Sequence, residues 1–155
     1  MTDLTLETRK LSLWQLLGPD APELLKSNSL DLPEVMQATA TATGFIARPG
    51  FDEFLIQTSQ PPVTPEGLCW LYSRADKMLA LQGEGWTEVM AQVCHMDLSD
   101  IKKDDWVMVT AAGINVWCLG LEDGLLMGCD PSLGGYFSDT LNTIVCEINE
   151  TLSTD

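Results

Sequence analysis

The clearest pattern of apolar and polar positions lies toward the end of the chain. Phe137, Leu141, Ile144, Val145, Ile148 and Leu152 step by four, three, one, three and four residues, which sets them on one face of a helix. Trp86, Val89, Met90, Val93 and Met96 keep the same period and predict a second helix, entered from a turn at Gly83-Glu84-Gly85. Lys77 to Gln82, Trp106 to Ala111, Ile114 to Leu121 and Leu125 to Cys129 are short apolar-rich runs, the last three parted by glycine-containing turns. Runs of that length and punctuation predict strands.

The first half is less regular. Residues 1–10 read as a loose polar arm, and Leu11 to Leu17 as a strand closed by Gly18-Pro19. Asp20 is placed to cap a helix whose first turn tolerates Pro22, because a proline's missing N–H has no intrahelical partner there. Met36 to Ile46 alternates small, threonine and apolar residues and predicts a strand. Phe51 to Gln57 is its expected hairpin partner across Arg48-Pro49-Gly50. The segment 60–65 holds Pro61, Pro62 and Pro65, which suit neither helix nor sheet, and is the expected hinge.

An internal repeat emerges from these elements. Leu16-Leu17-Gly18-Pro19-Asp20, a helix and Leu30-Asp31-Leu32 match Ala80-Leu81-Gln82-Gly83-Glu84, a helix and Met96-Asp97-Leu98; glycine and aspartate are 13 residues apart in one copy and 14 in the other. Each copy continues into a strand, a glycine (Gly44, Gly113), a second strand and an apolar triplet, Phe54-Leu55-Ile56 or Leu125-Leu126-Met127. The expectation is one α+β domain spanning 1–155. It would consist of two strand-helix-strand-strand pseudo-repeats, about 11–60 and 66–152, with mostly antiparallel sheets and packed helices.

Composition bounds the function. At 155 residues the chain is long enough to bury roughly 70% of its unfolded surface without disulfides or metal. Its 23 acidic and 8 basic residues give a net charge of −15, and the basic residues are scattered. Nucleic acid and anionic membrane surfaces are therefore excluded as expected partners. No signal-like segment is read at the start, no stretch approaches the about 20 apolar residues of a membrane span, and Cys69, Cys94, Cys118, Cys129 and Cys146 contain no CxxC pair. The expected location is cytoplasmic.

Chemistry-bearing patterns are sparse. Gly83-Glu84-Gly85 stands between a strand and a helix, but Glu84 and Glu88 would face a bound pyrophosphate, so a plain turn is expected. His95 is the single histidine and has only Cys94 close by, too little for a metal set. Asp97, Asp100, Asp104 and Asp105 lack the glycine and terminal glutamate of a calcium loop. The carboxylate pairs fall in expected turns, where water keeps them ionised, and no catalytic residue is assigned. Five tryptophans are more informative: core packing is expected for Trp86 and Trp117, and interface roles for Trp14 and Trp70.

The segment Arg74-Ala75-Asp76-Lys77-Met78-Leu79-Ala80-Leu81-Gln82-Gly83, followed by Val89-Met90 and Cys94-His95-Met96-Asp97-Leu98, resembles the gamma subunit of heterotetrameric sarcosine oxidase. Gly50-Phe51-Asp52-Glu53-Phe54-Leu55-Ile56 is similar to that family's Gly-Pro-Asp-Glu-aromatic-Leu hairpin, with Phe51 in place of the proline. Pro131-Ser132 and the final helix also fit, so the resemblance runs over roughly residues 11–150. More broadly the chain resembles the folate-binding domain of aminomethyltransferases, also a duplicated α+β unit.

The resemblance implies a non-catalytic accessory subunit that packs on the large folate-binding subunit of an amine-oxidising complex. Tetrahydrofolate and flavin would then belong to that complex and not to this chain, which would be homo-oligomeric only if isolated. The alternative is a stand-alone folate-binding or one-carbon-transfer protein, with a tryptophan and an acidic side chain gripping the pterin.

Overall fold

The computed structural model describes residues 3–154 and divides into two compact units. One is contiguous, Leu11–Ala75; the other joins residues up to Lys10 with those from Asp76 onward. Each is built on a five-stranded sheet in which every strand pair is antiparallel. The α+β class with packed helices is as expected from the sequence.

Residues 1–10 were expected as a loose arm; within them Thr5–Arg9 forms strand β1, a partner for a strand much later in the chain. Its composition hides it. Only Leu6 turns toward a core, while Thr5, Glu7 and Arg9 stay exposed, as suits the rim of a sheet.

In the contiguous unit, β2 (Leu13–Leu17) leads into helix α1 (Ala21–Ser27). Strands β3 (Ala38–Ala40), β4 (Phe45–Gly50), β5 (Glu53–Gln57) and β6 (Trp70–Arg74) follow, and the sheet order is β3-β4-β5-β2-β6. Leu16, Ile46, Phe54 and Ile56 form one core with Ala21, Leu24 and Leu25 of α1, closed by Val63 and Cys69. Burying a side chain such as Phe54 contributes about 1.5–3 kcal/mol.

Four expectations for this unit are corrected. The single strand expected over 36–46 is two, because Thr41 and Gly44 close a tight turn in which each N–H bonds the other residue: Thr41 N–H to the Gly44 carbonyl, and Gly44 N–H to Thr41 Oγ1. The hairpin reverses at Phe51-Asp52, not at Arg48-Pro49-Gly50. A register shift between Ala47 and Gly50 carries β4 through the proline, which needs no ladder N–H at an irregularity. Asp20 makes no side-chain cap; its carboxylate accepts the Leu68 N–H at 2.7 Å instead. Strand β6 went unpredicted. The expected hinge 60–65 connects β5 to β6 inside this unit, with Val63 buried in its core, and the units divide at Lys10 and Ala75.

The other unit contains β1, β7 (Lys77–Gln82), α2 (Trp86–Val93), β8 (Trp106–Ala111), β9 (Ile114–Leu121), β10 (Gly124–Cys129) and α3 (Gly134–Leu152). Its sheet order is β1-β7-β10-β9-β8. Phe137, Leu141, Ile144 and Val145 of α3 pack with Val89 and Met90 of α2 on Leu79, Leu81, Leu125 and Met127, the face the apolar period indicated. Leu152 ends that stripe at the exposed helix terminus. Helix α2 stops at Val93, earlier than the apolar period to Met96 suggested; Cys94 turns extended and bridges Ala111, leaving Met96 exposed.

The two sheets share strand order and register. Leu16 and Leu81 each precede by two residues a glycine of positive φ, Gly18 (127°) or Gly83 (104°). Phe54 pairs with Leu16 as Leu125 pairs with Leu81, so the two apolar triplets match position for position. Leu71 pairs with Leu16 as Leu6 pairs with Leu81. The chain runs over each glycine immediately before the fifth strand: a Cβ on Gly18 would lie 2.3 Å from the Leu68 carbonyl oxygen, and one on Gly83 2.2 Å from that of Asp3. The leading strands are thus exchanged: β1, which precedes β2, pairs with β7, and β6, which precedes β7, pairs with β2.

Candidate functional site

The tryptophans separate into distinct roles. Trp117 is 3% exposed on β9, and its indole N–H donates to the Asp76 carboxylate at 2.9 Å. It fits because Gly128 lies directly across the strand pair; a Cβ there would come within 2.1 Å of the indole ring. Trp117 is buried and Asp76 part-buried, and within this pair the indole N–H and one carboxylate oxygen engage each other. Trp106 is also buried, and its indole N–H has no hydrogen-bond partner. Trp86 is half-buried against the α2–α3 core.

The two expected interface residues lie on neighbouring strands but on opposite faces. Trp14 sits on β2 with Leu16, half-buried against the core beneath α1, and its indole N–H donates to the Thr58 carbonyl at 3.2 Å. Trp70 sits on the edge strand β6, opposite Leu17, and points to the other face with 48% of its surface exposed. Tyr72 follows on the same face, 53% exposed, and Leu68 just before the strand is 61% exposed. These three form an apolar rim, of which the sequence alone indicates only Trp70.

Arg48 was missed as well. It is the one buried charged side chain among the described residues. Its Nη1 donates to the Pro33 carbonyl at 3.0 Å, and its Nε and Nη2 fork onto the Phe51 carbonyl at 3.2 and 2.9 Å. The guanidinium lies 5.3 and 5.2 Å from the ring centres of Phe51 and Phe54, within cation–π range. Carbonyl oxygens and ring faces thus solvate the cation while Phe51 stays 72% exposed at the hairpin tip. Sequence offered one usable signal: an arginine set among apolar residues of a strand pair.

The neighbourhood of the single histidine is a shallow pocket of about 220 Å³ lined by Thr87, Ala91, Cys94, His95, Met96, Asp97 and Leu98. It is smaller than the about 300–1,000 Å³ of small-molecule sites and has no tryptophan, tyrosine or phenylalanine to stack a pterin. Asp97 spends one oxygen on the Ser99 N–H at 2.9 Å, and the hydrogen bonds from Ser99 hold its carboxyl below the usual carboxylate range. Burial pushes the Cys118 thiol up to about 12, with nearby Cys94 adding to the effect. Burial also raises Cys129, helped by Asp76 and Asp130. Thiols held protonated are poor nucleophiles and poor metal ligands.

The remaining expected features resolve into local structure. Gly83 and Gly85 make the turn into α2. The space above Gly85 is occupied by Ile148, whose Cγ2 would lie 3.0 Å from an added Cβ, so the loop serves helix packing. Asp105 accepts the Lys102 N–H at 2.8 Å within its own turn. Among the described residues no group of three or more His, Cys, Asp or Glu is placed to hold a metal ion, and no helix is long and apolar enough to cross a membrane.

No protein-family model matches the sequence, and no curated protein matches it. Its fold is shared by solved structures. A chain of the heterotetrameric sarcosine oxidase from Corynebacterium sp. U-96, solved in complex with pyrrole 2-carboxylate, is similar with a TM-score of 0.80 and 17% identity, over 94% of this chain and 85% of that one. The glycine cleavage system aminomethyltransferase T from Bartonella henselae is similar with a TM-score of 0.72 and 15% identity, over 90% of this chain but 45% of that one. This protein therefore has an aminomethyltransferase-like α+β fold, and it spans about half the length of the aminomethyltransferase. Its likeness to the sarcosine oxidase chain runs over most of both partners.

Proposed function

We propose that this chain is a non-catalytic, gamma-like accessory subunit of a heterotetrameric sarcosine-oxidase-type amine-oxidising complex, packing on the large folate-binding subunit. The observation that carries this reading is the reciprocity of the match. A chain of the Corynebacterium heterotetramer is covered over 85% of its length, whereas the aminomethyltransferase has more than half of its length without a counterpart here. Flavin and tetrahydrofolate belong, in this reading, to the partner subunits.

The test is recovery of the tagged full chain from its native host at moderate salt. Equimolar co-purification of a flavin-carrying large subunit supports the accessory role. A chain recovered alone, whose melting temperature rises with added tetrahydrofolate, replaces it with the stand-alone folate-binding reading.

A further inference from the structure

The exchanged leading strands provide an internal comparison. Register equates Thr5-Leu6-Glu7-Thr8-Arg9 of β1 with Trp70-Leu71-Tyr72-Ser73-Arg74 of β6, residue by residue. Both strands end their sheets, each pairing with one neighbour only. Their leucines pack inward on their cores, both finish in arginine, and threonine and serine are interchangeable hydroxyls. They differ at the two outward positions. There β1 carries Thr5 and Glu7, and β6 carries Trp70 and Tyr72.

The fold therefore requires no aromatic residue at either position. β1 has the usual protection of a free sheet edge, charged side chains, with Glu7 and Arg9 in an ion pair at 3.1 Å. β6 has the opposite: two half-exposed aromatics of the kinds that dominate interface hot spots, extended by exposed Leu68, beside a row of backbone groups with no strand partner among the described residues.

We propose that the outer edge of β6 receives an added strand from a different polypeptide, the large folate-binding subunit of the complex proposed above, with Trp70 and Tyr72 as its anchors. This rests on the accessory-subunit reading. Charge selects the occupant. The Leu68 end of this edge is acidic, with Arg74 at the other end of β6: Asp20 and Glu66 are exposed there, and Glu53 lies in the same cross-strand row as Trp70 and Leu17. A second copy of a chain carrying a net charge of −15 would bring the same acidic rim against this one. An incoming segment with apolar residues flanked by lysine or arginine satisfies both the aromatic anchors and the rim.

The experiment gives β6 the pattern of β1, with Trp70→Thr and Tyr72→Glu in the tagged full chain. It compares flavin and large subunit recovered from the native host, and melting temperature and oligomeric state of the purified chains. The expected result is equimolar recovery with the unchanged chain and a loss of at least about tenfold with the double variant, at unchanged melting temperature. Tyr72→Glu alone, which leaves the indole in place, decides the matter should the double variant lose stability. Undiminished recovery with the variants overturns the proposal and leaves the accessory reading standing. Recovery of no flavoprotein by the unchanged chain removes the accessory reading and this proposal with it. A purified chain that is dimeric, and becomes monomeric in the variants, overturns it in favour of self-pairing.

Discussion

Trp117 and Gly128 are cross-strand neighbours in which one residue supplies the volume and the other the room. The indole lies where a side chain on Gly128 would be, and its N–H reaches Asp76 at 2.9 Å. Gly128→Val forces the ring out of its place and breaks that hydrogen bond, at a cost of about 2–4 kcal/mol. Asp76→Ala leaves the ring seated but removes that acceptor, and costs about 1–3 kcal/mol. Urea unfolding of both variants measures the two terms, and a Gly128→Val protein of unchanged midpoint would contradict the packing described.

Arg48 fixes the 33–37 loop and the hairpin tip together. Arg48→Met keeps much of the apolar stem but leaves the Pro33 and Phe51 carbonyls without their donors, lowering stability by about 2–4 kcal/mol. Arg48→Lys recovers little, because an ammonium has no planar fork to bridge both carbonyls. Chemical denaturation orders the three proteins.

Two turn glycines of positive φ differ in their surroundings. Gly83 (φ 104°) would place a Cβ 2.2 Å from the Asp3 carbonyl oxygen, whereas Gly113 (φ 82°) has nothing within 4 Å. Gly113→Ala therefore carries only backbone strain, about 1 kcal/mol, and Gly83→Ala adds displacement of the segment entering β1, for about 3 kcal/mol or more. A thermal shift for Gly83→Ala no larger than for Gly113→Ala would sink this distinction.

Cys118 makes the fold sensitive to alkali. Its thiol titrates near 9 in the unfolded chain and is pushed up to about 12 when folded. The unfolded state thus releases its proton first. The contribution is fully present below pH 9 and is lost as pH rises toward 12, with a slope of about 1.4 kcal/mol per pH unit between the two values. Unfolding curves across that window, compared with Cys118→Ala, isolate the term.

The thiols should also sort by access. Cys146 is exposed, Cys94 half-buried, and Cys69, Cys118 and Cys129 buried. A maleimide added to native protein labels Cys146 first, while the three buried thiols react only on unfolding. Mass spectrometry of the labelled peptides reads the order directly.

Much of the architecture was legible in apolar spacing: α3 is long enough for its stripe to be unambiguous, and β7, β9 and β10 are dense apolar runs buried over most of their length. The two edge strands were not legible. β1 and β6 each turn one leucine to a core and leave most other positions to solvent, so alternation is thin and composition misleads. The reversal at Phe51-Asp52 was hidden by a proline that stands at a register shift. The exposed face of Trp70 follows from its place on an edge, and the burial of Arg48 from carbonyls brought to it by separate loops; neither is written in local sequence.

The exchange of leading strands also sets an order of events on the ribosome. Every strand of the Leu11–Ala75 sheet is available once Arg74 has emerged, so that sheet can close while the rest of the chain is still being made. β1 leaves the ribosome before β2, yet Thr5 has no partner until Gln82 appears. Its threonines and charges, so uninformative as a strand signal, keep it soluble during that wait. β1 is thus made before the Leu11–Ala75 sheet and paired only after it.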